Sequence, residues 1–234
     1  SILDTNPTDQ LPEDRAITSA EGARAALTGA YSALQDFDVS IRYYGGDFSL
    51  LGDLSSDNAD NTGTSTSYAD ADANQLRAAN ATVGGIWAAI YRAVNRSNNI
   101  IERVPALTDL DDTEKNEILG EAYFLRALDY HNLVKFWGPV PLRLTTVTSV
   151  DEAADIVRAP VPDVYAQINS DLAQADQLIT STSPTTRATS GAVKAIQARV
   201  YLYQGDWANA NAKADEVIGL GYTLADAYGD LFDE

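Results

Sequence analysis

The sequence predicts an all-α protein of antiparallel helical hairpins that carries one long irregular loop region. Three observations predict it. Residues 117–142 repeat apolar side chains at helical spacing in two adjacent stripes: Ile118, Ala122, Leu125, Leu133 and Phe136, and beside them Tyr123, Ala127, Tyr130, Val134 and Trp137. A surface helix needs one stripe, so two describe a central helix with neighbours on both flanks. Segments of the same period precede and follow it, separated by short turn signals. Between residues 36 and 82 that period is lost, and Gly, Ser, Thr, Asn and Asp dominate.

Residues 1–18 are polar and contain Pro7 and Pro12, an irregular lead-in. Ser19 then caps a helix whose inward face is Ala23, Leu27, Ala30, Tyr31 and Leu34. Residues 36–82 read as a long loop. Loops beyond about 15 residues are uncommon inside a compact domain and are often functional, which makes this region the first place to expect ligand contact. Residues 83–104 return to helix, with Trp87, Tyr91, Val94, Asn98 and Ile101 along one face and Asn80 or Thr82 as the cap. Asp111, Asp112, Thr113 and Glu114 supply capping signals for the central helix, which pairs antiparallel with its predecessor.

Gly138, Pro139 and Pro141 stop the central helix, because proline lacks the amide donor and pushes the preceding residue toward extended geometry. An extended exit and a polar connection over residues 145–159 follow. Pro162 suits a helix start, with Val164, Ile168, Leu172, Ala175 and Ile179 inward. Ser190 caps the next helix, lined by Val193, Ile196, Val200 and Tyr203. Gly205 and Asp206 end it, and residues 207–218 fold back as its partner. Tyr201, Gly205, Trp207 and Ala210 fall at the offsets of a tetratricopeptide hairpin, where small residues admit a close helix approach. Three successive hairpins built this way make a short solenoid, so the expected fold is tetratricopeptide-like. Residues 1–234 read as one domain.

The chain carries 34 acidic and 16 basic side chains, a formal charge of −18, and so large a negative charge repels a nucleic-acid backbone. No apolar run approaches the roughly 20 residues of a membrane-spanning helix. Without cysteine there is no disulfide, thiolate nucleophile or thiolate metal site. A start at Ser1 with no methionine anywhere reads as a processed or cropped chain.

No catalytic pattern survives inspection. His131 is the only histidine, lies inside the central helix and reads as a packed side chain rather than a ligand. Nucleophile elbow, Walker loop and dinucleotide fingerprint are all missing from the sequence. No metal set and no cofactor is expected. The acidic residues Asp53, Asp57 and Asp60, with Asp70 and Asp72, admit three readings: a solvated loop, an irregular calcium site, or a glycosidase carboxylate pair. Arg126 and Asp129, three apart on an apolar helix, read as a structural polar contact. Tyr68 is the one aromatic between Leu54 and Gln75. Sugars lay a C–H face on an aromatic ring while amides and carboxylates bond the hydroxyls, so Tyr68 with Asp57, Asn58 and Asn61 forms a candidate ligand-binding half-site. The other reading is a loop tyrosine packed on the scaffold.

The run Glu121, Phe124, Leu125, Arg126, Ala127, Tyr130, Leu133, Trp137, Gly138, Val140, Pro141 and Leu142 resembles the signature helix of the SusD/RagB family of cell-surface nutrient-binding lipoproteins. Gly29, Ala30 and Tyr31, and the spacing of Trp87, Tyr91, Asn98 and Asn99, resemble the same family. The resemblance implies a non-enzymatic protein that captures a nutrient, usually an oligosaccharide. It also implies delivery to a SusC-like TonB-dependent outer-membrane transporter, and a lipid anchor upstream of residue 1 as the only attachment to the membrane. Family members use the stretch that holds Asp57, Asn58, Asn61 and Tyr68 for glycan contact. They normally continue into an irregular second lobe, which is not among these 234 residues. The alternative is a helical-repeat scaffold that binds a protein partner and no small molecule.

Overall fold

Eight helices and one 3-10 turn, Val104–Ala106, are laid out in a computed structural model that describes residues 17–35, 43–56, 58–147, 157–184, 186–223, 227 and 229. In chain order the helices are α1 (Ala20–Gln35), α2 (Asp47–Leu54), α3 (Thr66–Asp72), α4 (Ala81–Arg103), α5 (Asp112–Trp137), α6 (Val161–Leu178), α7 (Ser190–Gln204) and α8 (Trp207–Gly219). The six longer helices pack each against the next, α1 on α4, α4 on α5, α5 on α6, α6 on α7 and α7 on α8, the neighbour-to-neighbour order of a solenoid. No strand forms among the described residues, and a single antiparallel bridge joins Val140 to Ala159.

The central helix is α5. Ile118, Ala122, Leu125, Ala127, Tyr130, Leu133 and Val134 are all buried, as two stripes require. Asp111 caps it by accepting from the Glu114 amide, so it begins one turn before residue 117. Gly138 ends it at φ 67, a left-handed backbone that L side chains resist. Gly120 sits where α5 crosses the end of α6: a methyl there would lie 2.6 Å from Ile179 Cγ1 and 3.0 Å from Leu178 Cβ. Phe136 departs from the expectation. It is 46% exposed, because its flank of the helix ends beside the loop region rather than under a long helix.

The caps obey the sequence signals closely. Ser19 accepts from the Gly22 amide and Asn80 from those of Thr82 and Val83. Thr189, not Ser190, caps α7 by accepting from the Ala192 amide, one residue earlier than expected. Gly205 closes α7 in the left-handed region. Tyr203 and Trp207 are exposed rather than packed inward, so the last hairpin presents an open apolar face.

The region read as loop needs correction, since α2 and α3 lie within it. Phe48, Leu51 and Leu54 on α2 and Ala71 on α3 are buried, which is enough to dock short helices that no period analysis detects. The polar pairing on α5 is also corrected. Arg126 bonds Asp171 of α6, not Asp129; Asp129 accepts from the Tyr43 hydroxyl instead. Three residues apart on a helix are neighbours only if neither has a better partner on the helix packed alongside.

Candidate functional site

Of the half-site residues, Asp57 lies outside the described residues. Asn58 donates to Ser56 Oγ at 3.0 Å, and Asn61 accepts from the Gly63 amide at 3.3 Å. Tyr68 sits on α3, where Ser65 caps the helix by accepting from its amide. Its ring packs half-buried against the core and its hydroxyl donates to Asp47 Oδ1 at 2.6 Å. Asn58 and Asn61 are thus surface groups, while Tyr68 is tied to the scaffold. Asp70 is held by Arg77 at 2.7 Å, which keeps its pKa below the ordinary value, and no cluster fit to hold a metal ion occurs among the described residues.

What the loop does enclose is the C-terminal end of α5. Ser55 and Leu76 form one wall of a cleft of about 150 Å³, with Phe136 and Trp137 on the other. These rings belong to a continuous aromatic row. Centroids lie 4.9 Å apart for Tyr91 and Trp87, 5.2 Å for Trp87 and Trp137, 5.7 Å for Trp137 and Phe136, and 4.8 Å for Phe136 and Phe48. From Phe48 the row continues to Tyr43 and Tyr44.

At the Tyr91 end the row opens into a trough of about 580 Å³ between α4 and the exit segment 139–147. Trp87, Tyr91, Arg92 and Asn95 line the α4 side, and Pro141, Arg143 and Val147 the other. An irregular segment must find partners for its amides and carbonyls, and here side chains of α4 and α5 supply them. Tyr91 donates to the Pro141 carbonyl at 2.8 Å. Tyr130 accepts from the Arg143 amide at 2.6 Å and donates to its carbonyl at 2.7 Å. Asn98 donates to the Arg143 and Thr145 carbonyls, and Asn95 pairs with both backbone groups of Val147. Asn98 is itself aimed by Arg126, which donates to its Oδ1 at 2.9 Å while holding Asp171 with two bonds of 2.8 and 2.7 Å.

Sequence reading placed Trp87, Tyr91 and Asn98 on one inward helical face, and Asn98 is buried there; it did not see that Trp87 and Tyr91 wall a trough. The one available signal was that Asn95 and Asn98, amides rather than hydrocarbon, face the extended exit that Pro139 and Pro141 dictate. Burial pushes the Tyr91 hydroxyl above its ordinary pKa, and the charges of Arg143 and Arg158 pull against that rise. His131 is buried with neither nitrogen bonded, edge-on to Tyr203 at 5.1 Å, a packed residue as its isolation in the sequence implied.

These features define an all-α scaffold of consecutive helical hairpins that frames an aromatic-lined trough with irregular segments. The chain belongs to the SusD-like family: the family model described as "Starch-binding associating with outer membrane" matches residues 3–202. SusD-like protein P38 of Formosa agariphila is 26% identical over 218 residues, covering 93% of this chain and 42% of that protein. The starch-binding protein SusD of Bacteroides thetaiotaomicron is 26% identical over 147 residues, 59% of this chain and 25% of that protein. Among solved structures, a laminarin-binding SusD-like protein superposes with a TM-score of 0.81 at 26% identity, over 92% of this chain and 48% of its own. The chain therefore spans less than half the length of the curated relatives it matches.

Proposed function

We propose that this protein captures an oligosaccharide nutrient at the outer face of the outer membrane and passes it to a SusC-like TonB-dependent transporter, without transforming it. The observation that carries the reading is the family match over residues 3–202, reinforced by a neighbour that binds laminarin. The aromatic row supports it, because exposed rings such as Tyr44 and Phe136 offer the flat apolar faces on which pyranose rings stack. Asn58, Asn61 and Tyr68, with Asp57 from the same stretch of sequence, are the candidate hydroxyl-bonding groups and ring. The protein is held to the membrane by a lipid anchor upstream of residue 1.

Calorimetric titration of the full-length protein with laminarin and malto-oligosaccharides tests this. Binding that weakens about tenfold in Asn58→Ala/Asn61→Ala or Tyr68→Ala supports the reading, and absence of binding to any saccharide panel refutes it. Protease treatment of intact cells checks surface exposure, and co-purification from detergent-solubilised membranes checks the transporter. A second reading, a helical scaffold for a protein partner, draws on Leu202, Tyr203 and Trp207, which are 52%, 56% and 67% exposed on the last hairpin. Partner capture that ignores added glycan favours it.

A further inference from the structure

We propose that Tyr44 determines specificity for the nutrient: its hydroxyl, turned outward by a buried polar relay, donates to a hydroxyl oxygen of a saccharide whose apolar face rests on Phe136. This rests on the nutrient-binding reading and names a residue that selects among sugars.

Hydrogen accounting is the first ground. The amide nitrogen of Asn132 carries two hydrogens and spends both on tyrosines, at 2.7 Å to Tyr43 Oη and 2.8 Å to Tyr44 Oη. Tyr43 passes its own hydrogen to Asp129 Oδ1 at 2.9 Å. Tyr44 Oη is therefore an acceptor in this relay, and its hydrogen finds no acceptor among the described residues. A hydroxyl that accepts one hydrogen bond donates the next more strongly. Burial raises its pKa above the ordinary value, so the hydrogen stays in place at neutral pH. Tyr43, Asp129 and Asn132 are at most 1% exposed, and Asp129 Oδ2 has no partner. Hydrocarbon would fill that space without the cost of burying a carboxyl group, so stability does not account for a relay that ends at a phenol facing solvent.

Placement is the second ground. Tyr44 is 42% and Phe136 46% exposed, and the buried Phe48 forms a floor between them, its centroid 5.4 Å from Tyr44 and 4.8 Å from Phe136. Phe136 follows Asn132 by one turn of α5, so it lies on the same helix face as the amide that holds Tyr44. The turn bearing Tyr44 is fixed by its backbone: the Tyr44 amide donates to the Leu34 carbonyl at 2.9 Å, and the amides of Gly46 and Phe48 donate to the Tyr43 carbonyl. Tyr43 packs beneath Tyr44 with centroids 4.6 Å apart. A donor held in position before binding loses little entropy when the ligand arrives. A flat ring with one directed donor beside it matches a sugar, which has a C–H face and hydroxyls around its rim.

Calorimetry of the full-length protein with laminari- and malto-oligosaccharides is the test, repeated for the tighter probe with analogues that lack single hydroxyls. Tyr44→Phe keeps the ring and removes the donor, and should weaken binding about three- to tenfold, the worth of one hydrogen bond. One deoxy analogue should bind the parent protein that much more weakly and lose nothing further in Tyr44→Phe, because it lacks the accepting hydroxyl. A loss of equal size for every analogue means that Tyr44→Phe acts only through the fold, and overturns the inference. Phe136→Ala, at an exposed position, should cost at least about threefold whether or not the Tyr44 variant folds. Full affinity there, or in Tyr44→Phe, also overturns the inference. Binding that depends on Asn58 and Asn61 or on Tyr68, and on neither Tyr44 nor Phe136, overturns it while sparing the nutrient-binding reading. No binding of any saccharide removes both.

Discussion

Replacing Asp171 by Ala removes the buried carboxylate that pairs with Arg126. Asp171 accepts from Arg126 Nε at 2.8 Å, Arg126 Nη2 at 2.7 Å and Gln167 Nε2 at 2.8 Å. The two side chains of the ion pair are 6% and 2% exposed. Two hydrogen bonds between charged groups contribute about 1.5–3 kcal/mol each, and a buried guanidinium left with only Asn98 and a 3.4 Å contact to the Leu144 carbonyl stays under-compensated. Both routes of counting converge on a loss of about 3–5 kcal/mol. For a chain of this length that corresponds to a fall in melting temperature of roughly 6–20 °C.

Removing both charges is a different perturbation. Arg126→Met with Asp171→Leu exchanges the pair for hydrocarbon of similar volume, which by itself is near neutral. It still orphans Asn98 Oδ1, at about 1–3 kcal/mol. The double variant should therefore be more stable than Arg126→Met alone, and a double-mutant cycle by urea unfolding, followed by circular dichroism, should return a coupling of about 2 kcal/mol or more. Effects that add within about 0.5 kcal/mol, or a single-variant loss under about 1 kcal/mol, would show that the pair is not the buried lock described here.

Gly120→Ala should cost about 1–3 kcal/mol, since its methyl would collide with Ile179 Cγ1 at 2.6 Å and force α6 off α5; unchanged denaturant midpoints would refute that crossing. His131 is the only histidine, so its titration can be read from a single imidazole signal by NMR. Burial, and then the charges of Lys135 and Arg199, lower its pKa from 6.5 to about 4. Below the unfolded value of 6.5 the unfolded chain takes up a proton that the fold excludes, so this stabilising contribution is full above pH 7 and is lost as pH falls toward 4, by at most about 3 kcal/mol. His131→Phe should remove that part of the acid sensitivity, and an imidazole midpoint near 6.5 would contradict the burial.

How far the sequence could be read follows from the kind of interaction that fixes each part. The long helices were legible because their burial repeats every turn, and their caps because Ser19, Asn80 and Asp111 act within three residues of themselves. Local chemistry leaves a local trace. α2 and α3 were not legible, since eight and seven residues hold too few turns to establish a period, and their docking depends on contacts such as Tyr68 to Asp47. The partner of Arg126 lies 45 residues away, a separation at which no spacing rule operates. The trough was invisible for the same reason: its two walls, Trp87 with Tyr91 and Pro141 with Arg143, meet only after α5 has run its length and returned the chain beside α4.

The buried polar residues of α5 explain why that return is accurate. Hydrocarbon stripes alone let neighbouring helices slide or rotate at little cost, because hydrophobic attraction is non-directional. Four buried polar groups of α5 instead bind partners on other segments. Glu121 accepts from Tyr31 of α1 and pairs with Arg187 before α7; Arg126 holds α6 and, through Asn98, the exit segment; Asp129 and Asn132 hold Tyr43 and Tyr44. A wrong register would bury these groups unpaired, at several kcal/mol apiece for the charged ones. The central helix thus selects one arrangement of its neighbours by penalising the others, and the segments it fixes this way, residues 43–46 and 139–147, are the ones that bound the aromatic row and the trough.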